Sequence, residues 1–343
     1  MPALAVADAL RARGAHVEFL GGERAERELV PAAGYTFHPL PMAGIDRRNP
    51  LLALRAIVLA GVATARARRL LARIGADVVV GGGGYSAGPV GLAARSLGLG
   101  LVLCEADSHL GLANRMLAPF AERVCLAFPI AGATPPKYVV TGRAVPEGTA
   151  HPDRARARAR FGIGADETCV LVFGGSLGAR SLNEAAVAAF ARDAPCTVLH
   201  TCGRRDFEWL RRRLDEAGSP PHYHLHAYVE PFADALGAAD LALARAGGSV
   251  FELAAAGVPA VLVPYPHATG DHQAGNASWM VEGGAAVVLR DEELGHERLR
   301  REVAALVGDP DRRREMSAAA RSLARPDAAG RIADEALGLA ARA

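Results

Sequence analysis

The sequence predicts an α/β protein of two doubly wound domains, each a parallel sheet covered by helices. Three observations carry that expectation. Short apolar runs alternate along the chain with alanine- and arginine-rich segments of helical length, and such alternation builds βαβ units buried on both faces. The 343 residues are about twice a typical domain of roughly 150. The rhythm breaks over Thr141–Arg160, where Gly142, Pro146, Gly148 and Pro152 gather before a new strand–glycine–helix unit opens at Thr168. The boundary therefore falls near Gly142–Pro152. The expected division is 1–145, 146–322 and a final helix in 323–343.

The elements follow in order. The chain opens on a helix, Ala3–Arg13, and a first strand, His16–Leu20. A helix over Leu51–Ile74 precedes the strand Asp77–Val80, which runs into the small-residue loop Gly81–Pro89. The strands Gly100–Leu103, Val124–Ala127 and Tyr138–Thr141 follow, with a helix over Leu112–Phe120. In the second half the strands are Thr168–Phe173, Thr197–Thr201, Leu241–Ala244, Ala260–Pro264 and Ala285–Leu289. Their helices are Ser181–Ala191, Asp206–Ala217, Ser249–Ala256 and Gln273–Glu282. The tail Asp311–Ala343 holds two helices parted near Arg325–Pro326.

Composition narrows the function. Half the residues are hydrophobic and 22% are charged, which excludes a disordered chain. The formal charge is +2, which does not support a strongly basic nucleic-acid protein, and Lys137 is the sole lysine among 39 cationic residues. The apolar runs fall short of the roughly 20 residues that span a bilayer. The charged first 20 residues do not resemble a signal peptide. Five cysteines without CxxC spacing fit a reducing compartment.

Chemistry concentrates in glycine loops at strand ends: Gly81–Pro89, Gly174–Arg180, Arg245–Ser249 and Tyr265–Gln273. Glycine lets a backbone approach a phosphate, and a following helix offers free N–H groups. None is GxGxxG or a Walker loop, so dinucleotide and ATP chemistry are disfavoured. The Gly247–Glu252 segment places two glycines and a serine before a carboxylate one turn into a helix. Two readings stand: a nucleotide diphosphate site with Glu252 on the ribose diol, or a carboxylate that only complements its own helix dipole. His222, His224 and His226 alternate, as metal ligands or as an exposed strand edge. His267, Asp271 and His272 offer acid–base or metal chemistry, or belong to a ligand loop. Leu51–Ile74 is apolar early and basic late, which suits either an anionic membrane surface or a helix packed on the sheet.

Taken together, FGGSLGAR at Phe173–Arg180 with Asn183, RAGGSVFELAAAG at Arg245–Gly257, PYPHATGDHQAGN at Pro264–Asn276 and GGGGYSAGP at Gly81–Pro89 resemble the MurG family. These are the bacterial UDP-GlcNAc:lipid I N-acetylglucosaminyltransferases of glycosyltransferase family 28. LANR at Leu112–Arg115 and RPDAAGRIA at Arg325–Ala333 match as well. The resemblance implies a GT-B fold, two Rossmann-like domains facing across a cleft. The N-terminal domain would face the membrane and hold the acceptor, the C-terminal domain would hold UDP-GlcNAc, and the last helix would pack back on the N-terminal domain.

The resemblance further implies that Ser176, Val229, Gly247, Gly248, Ser249, Glu252, Gln273 and Asn276 bind the donor, with Arg143 standing for a displaced phosphate-binding arginine. Tyr85, Glu105 and Asp107 would bind the acceptor, with Glu105 as the base. No cofactor, metal or nucleic acid is implied; the partners are UDP-GlcNAc, lipid I and the cytoplasmic face of the cell membrane. The family's His-Glu-Gln-Asn stretch stands here as Cys104-Glu105-Ala106-Asp107. Its N-terminal GGTxGH loop has no counterpart before Pro2. The first strand and glycine loop are thus expected to be missing, with about 15 residues upstream of Met1, one strand plus a loop. The rival readings are another GT-B UDP-sugar transferase with a lipid or natural-product acceptor, and a donor-binding scaffold without catalysis.

Overall fold

The computed structural model describes residues 2–23, 26–42, 50–175, 178–268 and 271–341, with only the backbone described for 50–54 and 85. It forms two compact units, Met1–Pro146 with Arg325–Ala343, and Glu147–Ala324. The N-terminal unit runs α1 (Pro2–Arg11), β1 (Glu18–Gly21), α2 (Glu26–Ala32), β2 (Thr36–Pro39), α3 (Pro50–Ile74), β3 (Val78–Gly81), α4 (Gly84–Leu97), β4 (Gly100–Glu105), α5 (Leu112–Leu117), β5 (Arg123–Leu126) and β6 (Tyr138–Val140). The C-terminal unit runs α6 (Arg154–Phe161), β7 (Cys169–Phe173), α7 (Arg180–Phe190), β8 (Thr197–Thr201), α8 (Phe207–Glu216), β9 (Tyr223–His226), α9 (Phe232–Ala238) and β10 (Leu241–Ala244). It continues through α10 (Val250–Ala256), β11 (Ala260–Leu262), α11 (His272–Glu282), β12 (Ala286–Val288), α12 (His296–Val307) and α13 (Pro310–Leu323). The last helix, α14 (Ala328–Ala340), belongs to the N-terminal unit.

The C-terminal sheet has the order β12-β11-β10-β7-β8-β9 and is parallel throughout. Every residue of β7, β8 and β10 is buried, because helices cover both faces of a parallel sheet. From β7 the chain moves outward through β8 and β9, then crosses to β10 on the other side. The loops after β7 and β10 therefore leave neighbouring strand ends in opposite senses. Open α/β sheets bind ligands at that switch point.

In the N-terminal unit β3-β4-β5-β6 form one parallel sheet and β1-β2 another. A cavity of about 880 Å³ touches both, with Phe19, Val78, Val80 and Glu105 in its wall. α14 packs along α1, burying Val6, Leu10, Ile332 and Ala336 in one cluster. Arg13–Asp334 and Arg123–Glu335, each at 2.8 Å, tie it down at the surface, where such pairs contribute at most about 1 kcal/mol.

The segment Gly81–Pro89 differs from its reading as a loop. The loop ends at Gly83, and residues from Gly84 are helical with Pro89 inside α4. One ladder hydrogen bond is forgone at the proline, and packing of α4 on α3 and α5 offsets it. Gly91 allows that packing: a Cβ there would lie 2.6 Å from Leu117 Cδ1. Strand β2 and helices α2, α6, α9 and α12 were not anticipated from the pattern; α2 carries Pro31 and two early glutamates.

Candidate functional site

Three loops gather at the C-terminal ends of β7, β10 and β11. Gly178 opens the way for the first. Its φ is +76°, and a Cβ would meet Cys202 O at 2.2 Å, so only glycine lets this loop pass the end of β8. α7 then starts at Arg180 with no side-chain cap, which leaves its first N–H groups open to an anion. Ser176 lies outside the described residues. In the second loop Gly247, Gly248 and Ser249 lead into α10, and Ser249 makes no cap to its own helix.

Two amides brace these loops from beneath. Asn276 on α11 is 1% exposed and donates through Nδ2 to Ala246 O at 3.0 Å. Gln273 accepts the backbone N–H of Tyr265 at 2.9 Å, closing the third loop onto its helix. Asn276 is thus a buried brace rather than an open sugar ligand, and its Oδ1 has no partner among the described residues. Sequence reasoning saw the two amides but not which one faces inward, because helical spacing alone does not give burial.

A fourth loop follows β9. Val229 is buried beside a half-exposed Tyr228. Phe232 meets Phe173 edge-on at 5.0 Å, which ties this loop to the end of β7. The Tyr228 phenol is pushed up, first by burial, then by the charge and hydrogen bond of Glu230, and also by Glu252. Glu252 itself lies in the first turn of α10.

A polar network lies under α7. Asn183, fully buried, donates through Nδ2 to Cys202 O and Asp206 Oδ2, each at 3.0 Å. Its Oδ1 must then accept from His200 Nε2–H at 3.0 Å. His200 Nδ1 is left to accept from Tyr223 OH at 2.8 Å, which assigns the tautomer. Burial pushes His200 down to about 3, so the ring is neutral and the network is fully paired.

In the N-terminal unit the structure corrects the role of Glu105. The side chain is 6% exposed. Oε1 accepts the N–H groups of Ala106 and Asp107 at 2.9 and 3.1 Å. Oε2 accepts Gly111 N–H at 2.8 Å and Asn114 Nδ2 at 2.9 Å. Four donors occupy this carboxylate, so it organises the 106–111 loop and has no lone pair left for an acceptor proton. Asn114 also donates to Cys104 O at 3.0 Å and sits 3.5 Å from where a Cβ on Gly83 would be, which joins this loop to the glycine turn before α4. Asp107 is half-buried, and among the described residues nothing bonds its carboxylate.

Tyr85 is the second residue of α4. Arg143 lies in the wall of the N-terminal cavity with Gly142 and Ala144 and belongs to the N-terminal unit. Of the alternating histidines, His222 bonds Phe190 O at 2.8 Å, and burial pushes His224 and His226 down. These three form the edge strand β9 and its approach. Among the described residues no three His, Cys, Asp or Glu side chains cluster as metal ligands. His267 packs edge-on against Tyr265 at 5.5 Å, and Asp271 takes a left-handed φ of +54° before α11.

Arg245, which was read from the sequence only as part of a motif, is the side chain that links these loops. It is 5% exposed and bonds segments that follow three other strands, β11, β7 and β12. A buried arginine carries no periodic signature, and this chain is arginine-rich everywhere.

Two family models match the chain: the glycosyltransferase family 28 C-terminal domain over residues 169–332 and the glycosyltransferase family 28 N-terminal domain over residues 1–126. A protein of Acidithiobacillus ferrooxidans named UDP-N-acetylglucosamine--N-acetylmuramyl-(pentapeptide) pyrophosphoryl-undecaprenol N-acetylglucosamine transferase is 42% identical over 348 residues, covering 97% of this chain and 92% of that protein. The protein of the same name from Methylococcus capsulatus is 41% identical over 340 residues, covering 97% and 93%. The crystal structure of MurG from Acinetobacter baumannii matches with a TM-score of 0.77 at 32% identity, covering 98% of this chain and 95% of that one.

Proposed function

The chain belongs to glycosyltransferase family 28, and within it to the MurG family, with the GT-B fold; from that premise we propose that it transfers GlcNAc from UDP-GlcNAc to the MurNAc 4-hydroxyl of undecaprenyl-diphospho-MurNAc-pentapeptide. The acceptor oxygen attacks the anomeric carbon with inversion, the bond from that carbon to the diphosphate oxygen breaks, and UDP leaves. The observation that carries this reading is the gathering of the β7, β10 and β11 loops at the switch point of the C-terminal sheet, with Glu252 in the first turn of the helix that follows the β10 loop.

Each part has a physical task. Val229 and Tyr228 hold the uracil, and Glu252 accepts from the ribose hydroxyls. Gly247, Gly248 and Ser249 surround the diphosphate. Their backbone N–H groups, with the uncapped start of α7, stabilise the charge that grows on the leaving group. Gln273 and the braced 265–271 loop form the sugar side. On the acceptor side Glu105 holds its loop in shape, and Asp107, whose carboxylate is bonded by nothing among the described residues, takes the proton.

The same reading places the enzyme peripherally at the cytoplasmic face of the membrane. Ile57 and Val58 are each 59% exposed on α3, and Met116 on α5 is 63% exposed. Leu92 and Leu112 are exposed on the neighbouring helices. Exposed Arg66, Arg68 and Arg69 lie further along α3. An apolar face beside cations suits an anionic lipid surface. No helix among the described residues is long and apolar enough to cross a membrane.

Calorimetric titration tests the donor assignment. UDP-GlcNAc is expected to bind at one site per chain and GDP-mannose not to bind. Equal heats for the two nucleotides, or none for UDP-GlcNAc, would overturn the reading.

A further inference from the structure

Arg245 follows the last residue of β10 and immediately precedes the Ala246–Ser249 loop. Its guanidinium reaches segments that follow three other strands at once. Nη1 donates to Val263 O at 3.1 Å and Pro264 O at 3.3 Å, at the root of the 265–271 loop. Nη2 lies 2.6 Å from Ser181 Oγ, in the first turn of α7. The same Nη2 lies 2.6 Å from Asp291 Oδ1, beyond β12. Ser181 itself donates to Asp291 at 3.0 Å, so cation, hydroxyl and carboxylate form a closed triangle. The Tyr265 ring caps the group, its centroid 5.5 Å away.

This arrangement does more than fill space. A planar fork with five donors fixes the directions of all its partners together. Here the fork joins the root of the 265–271 loop to the first turn of α7, just past the 174–180 loop, and to Asp291 beyond β12, while Arg245 itself opens the 246–249 loop. Nε has no partner among the described residues although it is buried, which a packing role alone does not require and which carries a desolvation penalty. The fork faces the phosphate–sugar loops and bonds nothing in the Tyr228–Val229 loop.

We propose that Arg245 is a positioning residue for the phosphate–sugar half of the donor: it touches no ligand, but it sets the spacing of the β7, β10 and β11 loops around the diphosphate and GlcNAc. This rests on the donor reading above. It implies an asymmetry. Losing the fork loosens the loops around diphosphate and sugar and leaves the uracil–ribose end in place.

The test compares UDP-GlcNAc with UMP by calorimetry on the whole chain, for wild type, Arg245→Lys and Ser181→Ala. Lysine keeps the charge and loses the fork. Arg245→Lys is expected to weaken UDP-GlcNAc about tenfold or more, the loss of one or more charge-assisted bonds, while UMP affinity changes less than about twofold. Ser181→Ala, which removes one corner of the triangle, should shift UDP-GlcNAc in the same direction by a smaller factor. Unchanged UDP-GlcNAc affinity in Arg245→Lys overturns the proposal. So does equal weakening of both nucleotides, which marks a general structural role. A wild-type protein that binds neither nucleotide overturns this inference and the donor reading together, whereas a wild type that binds both leaves the donor reading standing whatever Arg245→Lys does.

Discussion

Glu105→Gln separates a loop-organising carboxylate from a catalytic base. The substitution keeps shape and removes one acceptor oxygen. Whichever way the amide turns, two of the four donors, Ala106 and Asp107 N–H or Gly111 N–H and Asn114 Nδ2, then face an NH₂ group. A hydrogen bond to a charged group contributes about 1.5–3 kcal/mol, so losing two gives about 3–6 kcal/mol. Ala106 and Asp107 are half-buried, so water reaches their amides, and the lower end, about 3 kcal/mol, is expected. For a unit of this size that lowers Tm by roughly 6–12 °C. Scanning calorimetry at pH 7 reads it directly. A variant with unchanged Tm and a turnover rate reduced 10²-fold or more would refute the organising role and restore Glu105 as base.

Three further outcomes follow from the same geometry. Glu252→Ala should weaken UDP-GlcNAc binding by one to two orders of magnitude, since a charge-assisted hydrogen bond of about 1.5–3 kcal/mol is lost; unchanged affinity in a folded variant removes Glu252 from the site. His200 is lowered from 6.5 to about 3 in the folded state, so the unfolded chain binds the extra proton, and stability present above pH 6.5 is lost as pH falls toward 3. At pH 5 this amounts to about 2 kcal/mol, and chemical denaturation of wild type and His200→Gln at pH 7 and pH 5 should show a smaller pH effect in the variant. Binding to anionic vesicles should fall with added salt and should drop when Ile57 and Val58 are both changed to Asp; co-sedimentation that is indifferent to either change argues against the α3 surface.

Much of the architecture is legible because burial and period coincide. The all-apolar cores of β7 and β10 and the alternation with helices mark two parallel sheets, and the strand ends locate the glycine loops. What escaped has identifiable causes. α4 begins inside a run of glycines and contains Pro89, so local propensity opposes a helix that tertiary packing enforces. β2 ends on a proline and reads as loop. In the site, the glycines and Glu252 stand out by residue type and spacing, and Gln273 through the family resemblance. The work of Glu105 depends on backbone groups up to Gly111 and on Asn114, nine residues away, and that of Arg245 on segments that follow three other strands. Such roles are set by topology, and no local pattern encodes them.

The central claim is that this chain joins GlcNAc from a UDP donor to a lipid-linked MurNAc acceptor. The most direct measurement is UDP release from UDP-GlcNAc with and without a short-chain lipid I analogue, followed by mass analysis of the lipid product. Acceptor-dependent UDP release is expected, matched one for one by a lipid heavier by one N-acetylhexosamine. UDP release that is no faster with the acceptor than without it, in a protein that still binds UDP-GlcNAc, would contradict the account.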